Sequence, residues 1–207
     1  TLGTDAIAGL SGAQLASLRT DQIAALRDEQ VSGIASADIA SLTTSQLAAL
    51  SNTQIDALGT TQLTQLTSRQ LAALSTAQFA AIDADKLAKL TTDQYTALTT
   101  AQIAALTADQ AGALETADIA ALRTAQVRAL SADTLAALSN ADIAALRTDQ
   151  VAALSTAQLT SLSAGQIAAM ETADLRALST AQISALHTDQ VAALSSSQLL
   201  ALSSEQF

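Results

Sequence analysis

The stretch Thr99–Leu106, T-T-A-Q-I-A-A-L, decides the fold. Cut every eight residues from Gly3, the chain returns this octad twenty-five times, ending at Leu202, with no insertion or deletion. Position 8 is Leu in 22 of 25 units, the exceptions being Ile34, Ile82 and Met170. Position 5 is Ile, Leu or Val almost throughout, varied by Phe79, Tyr95 and Ala111. Positions 5 and 8 are three residues apart and share a face on a helix. The strict alternation of a half-buried strand is missing, and Ala, Gln and Leu favour helix over strand.

One unbroken helix does not fit. An apolar pair every eight residues needs about 4.0 residues per turn, whereas the α-helix has 3.6 and supercoils adjust only between 3.5 and 3.67. The seam would slip by roughly 80° per octad. The helix therefore has to stop and restart, and the caps show where. Position 4 is Gln in eighteen units and Asp in four, and position 1 is often Ser or Thr. Ser75–Gln78, Ser155–Gln158 and Ser179–Gln182 thus read as capping boxes. Where position 1 is unsuited, position 2 offers a hydroxyl or carboxylate: Thr20 after Arg19, Asp28 after Arg27, Ser36 after Ala35, Thr60 after Gly59, Thr116 after Glu115, Thr188 after His187. These are expected to take over the cap.

Charge places the same boundary. Of nineteen acidic residues all but Asp56 lie at positions 1 to 4, where a helix N-terminus favours anions. Arg19, Arg27, Arg123 and Arg147 lie at position 1, where they are expected to serve the end of the preceding helix. Each octad is then a helix of about six residues, roughly 9 Å long, followed by a corner. That is too short to stand alone, since isolated helices need about 12–15 residues to be marginal. Position 7, nearly always Ala, Ser or Gly, suits close helix approach. Position 6, which accepts Asp56, Arg128, Arg176 and Leu200, reads as an exposed edge. The expected fold is all-α: an α-solenoid of short capped helices, one per octad, as a single continuous array over residues 1–207. Arg123 and Arg147, like Asp118 and Asp142, recur 24 residues apart and hint at three octads per turn without fixing the number.

Composition narrows the function classes. The absence of Cys excludes disulfides and thiolate metal sites. A net charge of −10 argues against nucleic acid, whose phosphates need clustered Lys and Arg; Arg69, Lys86 and Lys89 are too sparse a patch. No apolar run approaches the roughly 18 residues of a membrane helix. His187, the only histidine, stands at position 1 and reads as a solvated corner residue. One His without Cys supports neither a zinc site nor a catalytic triad. The aspartates at position 3 (Asp21, Asp85, Asp93, Asp109, Asp133, Asp149, Asp189) could approach one another for Ca²⁺ if corners stack, but helix N-terminal charge explains them more simply. Phe79 and Tyr95 read as core fillers, while Ala111 and Gly112 thin the core of their octad, where the weakest packing is expected. No catalytic, cofactor-binding or metal residues are expected, and no enzyme.

The motif L-S-T-A-Q-I-A-A-L, approximated across Leu74–Leu106 and Leu154–Leu194, resembles the octad tracts of very large bacterial secreted or surface proteins of adhesin-like type. The unit is also similar to the first helix of the TAL-effector repeat, with its Thr cap, Gln and aliphatic positions. It departs from that family in having no second long helix, no base-reading loop and no basic surface. The first resemblance implies a cell-surface or secreted location, and near-identical units without embellishment point to a structural role as stalk, spacer or filament body. The expected partners are other copies or further repeats of the same chain, with no nucleic acid and no membrane insertion. A multivalent adhesin edge binding a cell-surface or host ligand is the alternative. Because the sequence opens on positions 7 and 8 (Thr1, Leu2) and stops at position 5 (Phe207), it reads as a window on a longer array.

Overall fold

In the computed structural model, which describes residues 3–206, the octad is a helix and a corner, as its caps require. Twenty-five short α-helices run from α1 (Thr4–Ala8) to α25 (Ser196–Ala201), one per octad and numbered with it, and there is no strand among the described residues. Thr1, Leu2 and Phe207, on which the mid-octad reading of the ends rests, lie outside the described residues. The chain forms two compact units, Thr1–Ala105 with α1 to α13 and Leu106–Phe207 with α14 to α25.

The octad backbone is nearly the same in each unit. Position 1 is extended (Ser163, φ −67°, ψ 159°) and serves as N-cap. Four to six residues follow in helix, as in α5 (Ser36–Ile39) and α20 (Thr156–Ser161). Position 8 is extended again (Leu162, φ −70°, ψ 143°), so two consecutive extended residues make the corner. Its amide closes the last turn on position 5, as Leu162 N–H does on the Leu159 carbonyl at 3.3 Å, a 3₁₀-type bond. No described residue has positive φ. The corner therefore needs neither glycine nor proline, and the sequence has no proline at all.

The position-2 caps are overturned. Arg19, Arg27, Ala35, Gly59, Glu115 and His187 are themselves the N-caps and make no side-chain cap bond. Thr20, Asp28, Ser36, Thr60, Thr116 and Thr188 are already the first helical residues. The physical reason is that the extended backbone at position 1 sets the start of the helix, whichever side chain sits there. Half of the capping box survives regardless: the Gln oxygen at position 4 accepts the N-cap amide of Arg19 at 3.0 Å, Gly59 at 2.7 Å and His187 at 2.8 Å.

Within each unit a helix packs on the helix three octads later, as α3 (Thr20–Ala24) does on α6 (Thr44–Ala49) and α19 (Thr148–Ala152) on α22 (Thr172–Ala177). Positions 5 and 8 fill the space enclosed: Leu47, Ile55, Leu63 and Leu71 are fully buried, as are Val151, Leu159 and Ile167. Burying each such side chain contributes about 1.5–3 kcal/mol, which a lone octad could not obtain. Position 5 is covered by later octads, because Ile7, Leu15 and Ile23 are buried whereas Ile183, Val191 and Leu199 are not. Phe79 and Tyr95 are fully buried core residues, and the Tyr95 hydroxyl donates to the Leu87 carbonyl at 2.7 Å. The weak packing expected at Ala111 and Gly112 is not found: Ala111 is fully covered, and α17 (Ala132–Ala137) draws close enough for the Ala137 carbonyl to lie 3.6 Å from where a Cβ on Gly112 would be, because the small side chains let the helix approach.

Candidate functional site

The polar chemistry of the chain is concentrated where one turn of each coil meets the next, and glutamine at position 4 carries it. In Gln78 the Oε1 accepts the Ser75 amide at 2.9 Å, closing the capping box. Its Nε2 then donates to the carbonyls of Leu47 at 3.0 Å and Leu50 at 2.7 Å, which are 31 and 28 residues earlier. In the second unit Gln158 does the same toward Val127, Arg128 and Leu130, at 3.1, 3.3 and 2.8 Å. Each such amide thus joins the start of one helix to the open carbonyl end of the helix four octads back, satisfying groups a helix terminus leaves orphaned. Helices meet at three octads and amides at four, so one turn takes a little more than three.

These amides are buried: Gln102, Gln126, Gln150 and Gln190 are at most 1 % exposed. No buried side-chain N or O among the described residues lacks a partner. Gln14 and Gln22, which have no octad four units earlier in this sequence, are exposed. Sequence reasoning found the accepting half of this glutamine and missed the donating half. The signal was present: a capping box takes Glu as readily as Gln, yet position 4 holds eighteen Gln and no Glu.

The exceptions at position 4 are explained by the same contact. Asp142 and Asp174 lack a donor, and they face position 2 of the octad three units back. Thr116 Oγ1 donates to Asp142 and Thr148 Oγ1 to Asp174, both at 2.8 Å. Asp38 accepts the Gly12 amide at 2.7 Å; a Cβ on Gly12 would lie 2.1 Å from Ser41 Oγ, so the small residue there permits the approach. Lys86 replaces Gln and sends its ammonium to the carbonyl of Asp56, 30 residues earlier, and to the Asp56 carboxylate at 3.2 Å. Lys86 has no acceptor for its own N-cap, and the Asp56 carboxylate supplies one, taking the Asp83 amide at 3.0 Å. Thus the only acid outside positions 1 to 4 and the only lysine at position 4 form a single substitution.

The arginines at position 1 act differently from expectation. Arg19, Arg27 and Arg147 pair with the acid two residues on, Asp21, Glu29 and Asp149, on the exposed surface. The guanidinium hydrogen bond lowers the Asp21 and Asp149 carboxyls below their ordinary values. Arg147 also donates to the carbonyl of Ala120, so it serves the end of the helix four octads back rather than the preceding one. A guanidinium is long enough to cross between turns, and that carbonyl end is the one placed beside it.

The candidate residues fall into place around this contact. His187 is an exposed N-cap. The position-3 aspartates are exposed in the first turns of separate helices, and no three His, Cys, Asp or Glu side chains gather among the described residues. Lys86 is taken up by the Asp56 carboxylate. No helix among the described residues is long and apolar enough to cross a membrane.

What the geometry defines is a repeat protein, an α-solenoid of eight-residue helical units whose turns are joined by buried glutamine amides. The family model of the ALTTAQ repeat matches residues 31–68, 79–116, 112–148, 135–170 and 167–204. The chain therefore belongs to the ALTTAQ repeat family, and each matched window exceeds the 31 residues that the longest glutamine bridges span. A search of curated proteins finds no match.

Proposed function

We propose that the chain is a structural scaffold, serving as stalk, spacer or filament body in a bacterial surface or secreted protein. The observation that carries this reading is the use of one interface over and over: the same amide, carbonyls and two apolar side chains join turn to turn in both units. The buried glutamine amides are spent on that joint, on the backbone carbonyls of the neighbouring turn. Arrays in which each repeat contacts only near neighbours grow by adding repeats, without any need for a new core.

The test is a series of arrays with half, one and two times the present number of octads, sized by small-angle X-ray scattering. A scaffold predicts a largest dimension rising in proportion to octad number. Radii of gyration following the compact-domain law, with an exponent near 0.38, would overturn it.

A further inference from the structure

We draw no further inference here: the strongest candidate, the open groove of the first unit between Asp28, Asn52, Thr53 and Asp56, carries nothing, because its carboxylates are exposed or half-buried and already paired with Thr53, Lys86 and the Asp83 amide, and no unpartnered buried side chain among the described residues points to a ligand.

Discussion

Replacing Gln102 with Glu isolates the donating half of the joint. The carboxylate can still accept the Thr99 amide, now held at 2.9 Å, so the capping box survives. It has no hydrogen to give Leu71 and Leu74, whose carbonyls lie 2.7 and 3.0 Å from Nε2. Leu71 keeps a second donor, the Leu74 amide at 3.2 Å; the Leu74 carbonyl loses its bridging donor. An ionised carboxylate in that position, 1 % exposed in the parent residue, would face two carbonyl oxygens. Taking up a proton is the cheaper escape, and it restores one O–H donor. Holding a carboxyl of ordinary pKa near 4.3 neutral at pH 7 costs about 3.7 kcal/mol at 1.36 kcal/mol per unit. The hydrogen bond still missing adds about 1 kcal/mol. The expected loss is thus about 4–5 kcal/mol at pH 7. Because the folded-state pKa is raised above the unfolded one, the variant keeps its stability below about pH 4 and loses it as pH rises. Denaturant unfolding at pH 4 and pH 7 measures this, followed by circular dichroism and by the single tyrosine, Tyr95, in the same unit. Gln14→Glu, exposed and without a bridge, should change the monomer by less than about 0.5 kcal/mol. A Q102E chain as stable as wild type at pH 7, or a Q14E chain equally damaged, would refute the bridging role.

Three further outcomes follow from the exceptions to the octad. Asp56→Ala removes the acceptor of the Asp83 amide and the partner of Lys86, and should cost about 1–2 kcal/mol; adding Lys86→Gln restores the usual amide bridge and should recover most of it. Unfolding of the two single variants and the double gives the coupling energy, and effects that simply add within about 0.3 kcal/mol would exclude the compensation. Thr148→Val takes the hydroxyl from Asp174, a carboxylate only 2 % exposed, and should cost about 1.5–3 kcal/mol in denaturant unfolding of the second unit. Arg19→Ala should raise the Asp21 pKa toward its ordinary value, read by NMR titration. The Asp21 folded pKa is depressed, so what little the exposed pair adds is present above about pH 3.9 and fades as pH falls through the folded value.

Much of the fold was legible because it is local. The Ser and Thr caps at position 1, the acids of the first turn and the apolar pair at positions 5 and 8 each act within one octad, and each locates the same corner. The position-2 caps misled because a hydroxyl such as that of Thr116 is a good cap in isolation. Its use is decided by where the neighbouring turn lies, and the neighbour presents Asp142. The exchange of Asp56 and Lys86 was visible as two oddities 30 residues apart, but the spacing has meaning only once the turn length is known. Turn length depends on the summed rotation of several corners, so small errors per corner compound and no single octad reveals it.

The glutamine resolves a conflict between uniformity and specificity. A bridge to backbone carbonyls is indifferent to the side chains it crosses, so any octad can follow any other and the array can lengthen by duplication without redesign. The same indifference leaves the stack free to slip by one octad, since an amide shifted by eight residues meets an equivalent pair of carbonyls. Thr116 with Asp142, Thr148 with Asp174 and Asp56 with Lys86 oppose a slip that lengthens the turn by one octad. Such a slip would set Asp142 against Ala108 and Asp174 against Asn140 in place of their threonines, and would put the Lys86 ammonium beside Ala48. Sparse, sequence-specific pairs can thus hold the register of a joint whose bulk is generic. Removing the Thr116 and Thr148 hydroxyls together should therefore do more than lower the stability of the second unit. Thr116→Val together with Thr148→Val should broaden the amide resonances of α18 (Asn140–Ala144) and α22 as alternative registers become populated. Sharp, single resonances in that double variant would show that the amides fix the register unaided.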